Sequence, residues 1–81
     1  MPYISQKRRT AIDQYGHQPL FPGELNYLIT KICLQYTTAK GDSYSTYNDI
    51  IGALECAKLE LYRRCVAEYE DGKRTENGDV F

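Results

Sequence analysis

The stretch YNDIIGALECAKLELYRRCVAEYED, residues 47–71, decides the fold. Ile50, Leu54, Ala57, Leu61 and Cys65 recur every three or four residues, which places them on one ridge of an α-helix. Tyr47, Ile51, Tyr62 and Tyr69 flank that ridge. The spacing predicts one long helix over residues 45–72, capped by Ser45, Thr46 or Asn48 and broken or kinked at Gly72. Gly52 inside it costs roughly 1 kcal/mol relative to Ala, which close approach of another backbone would offset.

Upstream, Gly41-Asp42-Ser43 forms a turn, and a second helix is predicted over residues 22–39. Pro22 suits its first turn and Glu24 its positive N-terminal end. Leu25, Leu28, Ile29, Ile32, Cys33 and Tyr36 give it an apolar stripe, with Tyr27 and Leu34 on the back face and Asn26 and Thr30 at the rim. Residues 1–21 hold an extended lead, a short helix over Gln6 to Gln14 capped by Ser5, and a loop with two Gly and two Pro between Tyr15 and Gly23. The expected architecture is all-α: a short N-terminal helix plus a helical hairpin with one long C-terminal helix, in a single small domain over residues 1–81.

The lengths argue for a homo-oligomer. At 1.5 Å per residue the third helix, taken from 46 to 71, is about 39 Å long and the second about 24 Å. A hairpin therefore leaves the half from Leu61 to Tyr69 without a full cover. On a helical wheel the apolar arc from Ala57 through Tyr62 spans about 140°, and Leu59 and Val66 widen it past 180°. One partner helix does not need that much apolar surface, whereas a second copy would use it. Leu34, Leu59, Val66 and Tyr69 are the interface candidates. The closing ENGDVF adds Val80 and Phe81: Asn77-Gly78 suits a helix end or tight turn, and the two apolar residues after it are expected to dock in cis or on a neighbouring subunit.

Composition narrows the function. Net charge is −1, so nothing drives the chain as a whole toward nucleic acid, and Lys7-Arg8-Arg9 reads as a solvated face. No apolar run is long enough to span a membrane. Three cysteines are an odd number; Cys56 and Cys65 lie on opposite sides of one helix, and the thiols are read as buried in a reducing cytoplasm. His17 is the only histidine, which offers no metal cluster and no catalytic triad, and the glycines form no phosphate loop. No catalytic residue, metal or cofactor is assigned. Eight Tyr without a Trp suit half-wet packing surfaces and interfaces, or a core with hydroxyls at its edge.

Lys58 falls near the middle of the apolar face, where an unpaired ammonium is costly. Three arrangements satisfy it: the head snorkels past the packing edge, it pairs with Glu55 or Glu24, or it enters a shared cavity and meets an anion. Glu60, Arg64 and Glu68 form i,i+4 pairs, and Arg63, with no acid at i+4, is freer to act on a partner or phosphate. Asn26 and Thr30 read as interhelical hydrogen-bonding groups or as ligand contacts beside Tyr27. The candidate ligand set is Lys58, Arg63, Tyr62, Glu55, Asn26, Tyr27 and Thr30.

The segments MPYI, LNYLITK, LECAKLELYRR and YEDGKRTENGDVF together resemble a family of small, largely uncharacterised helical proteins of bacteriophages and bacteria. The resemblance implies a cytoplasmic setting, that of the host for a phage protein, and a non-enzymatic accessory role. By context the resemblance also implies a role that small phage proteins of this build often have, acting on host factors or sequestering host signalling molecules. Two functions follow as expectations: an oligomer that binds or sequesters a small anionic or nucleotide-derived ligand, or an adaptor or inhibitor of a host or phage protein that acts through its apolar stripe and tail.

Overall fold

A computed structural model describes residues 1–81 and is all-helical. Helix α1 spans Gln6–Tyr15, α2 Pro22–Lys40 and α3 Tyr44–Leu61; a π-turn over Tyr62–Val66 and helix α4, Ala67–Asn77, continue α3 without a break. The chain divides into two units, Met1–Thr46 and Tyr47–Phe81.

The first unit is pinned at its turns. Ser5 caps α1 by accepting the Arg8 N–H at 3.3 Å. Gly16, at φ 65°, ends it, and its left-handed backbone turns the Gly16 and His17 N–H groups back onto Ile12 O and Ala11 O, both at 3.1 Å. Pro22 opens α2. A Cβ at Gly23 would sit 3.0 Å from Met1 O and 3.4 Å from Ile4 Cγ2, so the lead crosses the start of α2 too closely for a side chain there. Ser43 caps α3 in place of the expected Ser45, Thr46 or Asn48: its hydroxyl oxygen accepts the Thr46 N–H at 3.1 Å.

The buried side of α2 includes Tyr27, which the periodicity assigned to the back, but not Leu34, assigned there with it. Tyr27 and Glu24 are buried, while Leu25, Ile29 and Ile32 are exposed. The reason is chemical. Helix α1 and the loop after it present Asp13, Arg8 and backbone N–H groups, so they cover the side of α2 that carries Glu24 and Tyr27, and of the aliphatic stripe Leu28 and Cys33 are half-buried. Ile12 is the apolar residue buried from α1.

The second unit is a single helix with a short tail and has no core of its own. Leu54, Leu59, Leu61, Tyr62, Val66 and Tyr69 are all exposed. The helix does not stop at Gly72 but runs through it to Asn77, where Gly78, at φ 91°, ends it. The helix continues for five residues past the glycine, with Lys73 paired forward to Glu76, Arg74 back to Asp71, and the Thr75 hydroxyl donating to Asp71 O. Val80 and Phe81 lie beyond that end, fully exposed, and do not dock within the chain. The buried-thiol expectation also fails: Cys56 and Cys65 are exposed and Cys33 half-buried, all free, because both sides of the long helix are uncovered in its own unit.

Candidate functional site

The charged groups singled out on the long helix form a ladder of local pairs. Lys58 Nζ lies 3.0 Å from Glu55 Oε1, and its side chain is 68% exposed. Of the three arrangements, Lys58 adopts the Glu55 pair. Glu24, the other candidate, is engaged elsewhere. Arg63 is not free: its Nη2 donates to both oxygens of Glu60, at 2.8 and 2.9 Å. Arg64 Nε donates to Glu60 as well. Two guanidinium groups on one carboxylate hold Glu60 below the ordinary carboxylate range. The Tyr62 hydroxyl donates to Glu70 Oε1 at 2.9 Å, which raises the Tyr62 pKa above its usual value. All these groups face water, where ion pairs contribute little and exchange partners readily. The site is thus a row of exposed cations, each paired with an acid on its own helix.

The α2 candidates separate. The Thr30 hydroxyl donates to Asn26 Oδ1 at 3.1 Å, one turn apart on the same helix. Tyr27 points away from them into the first unit, where its hydroxyl donates to Asp13 Oδ2 at 2.6 Å. That bond, with burial, raises the Tyr27 pKa and makes the residue a core member. Among the interface candidates, Leu34 lines a shallow groove of about 360 Å³ with Lys31, Gln35, Thr38 and Ala39. Val80 and Phe81 line another, of about 460 Å³, with Glu70, Asp71, Lys73 and Arg74.

The strongest polar constellation escaped the sequence. Arg8 and Glu24 form a bidentate pair, Nε to Oε2 at 2.8 Å and Nη2 to Oε1 at 2.7 Å. The Leu20 N–H adds a third bond to Glu24 Oε1 at 2.9 Å. Arg8 chiefly, then Leu20, draws the Glu24 pKa down against the opposing effect of burial. Arg9 is structural too, donating through Nε to Ile4 O at 3.1 Å. The basic triplet is therefore two-thirds scaffold, and the pair clamps α1, the loop and α2 together. The only signal for it was an Arg on one short helix and a Glu in the first turn of the next.

No group of three or more His, Cys, Asp or Glu side chains is placed to hold a metal ion, and no helix is long and apolar enough to cross a membrane. No curated protein and no solved structure matches the chain. One family model does match, that of a domain of unknown function, DUF6899, over residues 1–80. Coverage of nearly the whole chain settles membership: the protein belongs to the DUF6899 family.

Proposed function

We propose that the protein is a non-enzymatic accessory protein of a phage or bacterial cytoplasm that works as a homo-oligomer and captures a small anionic, nucleotide-like ligand. In this reading copies assemble on the apolar surface that the long helix exposes. The observation that carries it is the second unit: a helix from Tyr47 to Asn77 whose Leu54, Leu61 and Tyr69 have nothing of their own unit to pack on. An isolated amphipathic helix in water is marginal, so its stability comes from what covers it.

The ligand reading is supported by Lys58, Arg63 and Tyr62 within two turns of that helix. The cations are held only by exposed acids, and the ring beside them offers a stacking face. Native mass spectrometry of protein purified gently from cells tests both halves. The expected result is a defined oligomer with extra mass that is lost on denaturation. Lys58→Met and Arg63→Ala should remove the bound mass and leave the oligomer intact. An oligomer without bound mass, insensitive to both substitutions, refutes the ligand and favours a protein partner. The exposed Leu34 groove supports that second reading.

A further inference from the structure

Up to Leu61 the long helix carries an apolar seam with a seven-residue repeat. Tyr47, Leu54 and Leu61 form one row, and Ile50 and Ala57 the other. An uninterrupted α-helix would continue these rows at Arg64 and Glu68, both charged. The next apolar residues, Cys65 and Tyr69, each come one position late. The π-turn lies at this point. The Ala67 N–H closes on Tyr62 O, five residues back instead of four, so the turn takes up one extra residue. Beyond it, Tyr69 falls into line with Leu61, and Cys65 lies inside the turn, where the extra residue is taken up. The Tyr62–Glu70 bond reports the same change of phase. Residues eight apart on a regular α-helix differ by about 80° around the axis, and residues seven apart by about 20°. Tyr62 reaches Glu70 because the π-turn makes eight residues behave as seven.

We infer that the π-turn keeps one apolar seam running from Tyr47 to Tyr69, and that the same helix of a second copy, parallel and in register, covers it. The inference rests on the self-assembly proposed above and specifies its geometry. Length selects the occupant. The seam is about 33 Å long and α2, with 19 residues, about 28 Å; a second copy of the long helix matches it end to end. Charge selects the direction. Beside the seam one edge carries Lys58 and Lys73, and the other carries Glu60 and Glu68. In a parallel pair each edge faces the opposite edge of the other copy, which sets Glu68 against Lys73 on both sides. In an antiparallel pair like edges face each other, acid against acid. Lys73 keeps only an exposed pair within its own helix and can turn to the new contact.

A parallel, in-register pair places Cys65 of one copy opposite Cys65 of the other, while Cys56 points away from the seam. Full-length protein with Cys33→Ser and Cys56→Ser should be joined by a short bismaleimide into a two-chain species on a denaturing gel. Protein with Cys33→Ser and Cys65→Ser should be joined at least tenfold less. Leu61→Glu should bring the solution mass down to that of one chain, 9.3 kDa, by sedimentation. An oligomer that crosslinks equally through Cys56 and Cys65, or that keeps its mass with Leu61→Glu, overturns the seam and leaves self-assembly standing. A wild-type protein at one-chain mass overturns both.

Discussion

Glu24 accepts three bonds inside the first unit, two from the Arg8 guanidinium and one from the Leu20 amide. Its folded pKa is depressed, so the stability it contributes is present above the ordinary carboxylate range and is lost as pH falls through that range to the folded value. Thermal unfolding followed by circular dichroism should show the wild type losing stability on acidification. Glu24→Gln should lower the midpoint by several degrees at pH 7 and flatten the acid limb, because the titrating group is gone. A variant that keeps the wild-type slope would locate the acid response elsewhere. Tyr27 works in the opposite sense: its pKa is raised by Asp13, so its contribution holds below the ordinary tyrosine value and fades as pH rises through the folded one. Ile12 is the apolar complement, 6% exposed, and Ile12→Ala should cost about 2–5 kcal/mol in denaturant titrations. None of this was legible in the sequence beyond its parts. Arg8 and Glu24 are 16 residues apart across a loop, and periodicity carries no information about which side chains a loop brings together. The same blindness put Tyr27 on the back of α2, since aliphatic spacing marks an apolar face and not the face that a polar neighbour covers.

At the scale of elements the sequence was far more legible. The three helices, the Ser5 cap, Pro22 at the start of α2 and the turn at residues 41–43 all follow from local chemistry, and the structure shows them. The local rules failed at Gly72, where the helix continues through a single propensity penalty with i,i+3 and i,i+4 bonding beyond it. The π-turn was present in the sequence as a change of spacing, from Ala57 to Cys65 and from Leu61 to Tyr69, eight residues where seven were due. Read at 100° per residue, it merely widened the apparent stripe. If the turn exists to hold the seam in phase, deleting Arg64 should be tolerated. The helix would become α throughout, Cys65 and Tyr69 would regain seven-residue spacing from Ala57 and Leu61, and the oligomer should persist with unchanged helicity. Inserting one alanine between Leu59 and Glu60 should instead rotate the two halves of the seam apart by about 100° and weaken association by at least tenfold. Sedimentation at matched concentrations checks both variants, and equal losses in the two would mean that the segment matters for its own contacts rather than for phase.

The whole molecule combines a small unit pinned by polar bonds with a helix that has no core. That combination fixes what kind of stability the protein can have. The first unit's contacts are internal and independent of concentration, whereas in the proposed assembly the second unit's apolar surface is covered by another copy. For an assembled pair, a tenfold rise in protein concentration is worth about 1.4 kcal/mol per dimer. Far-UV circular dichroism should therefore show a melting midpoint that climbs by several degrees over each tenfold rise in concentration. Leu61→Glu should abolish that dependence and lower the total helix signal, because Tyr47–Asn77 would lose its cover. Glu24→Gln should lower the midpoint at every concentration and leave the slope unchanged. The two substitutions thus act on separable quantities, an offset and a slope. Equal slopes in the wild type and Leu61→Glu would show that the long helix is stable alone, and the physical case for assembly would then fall with it.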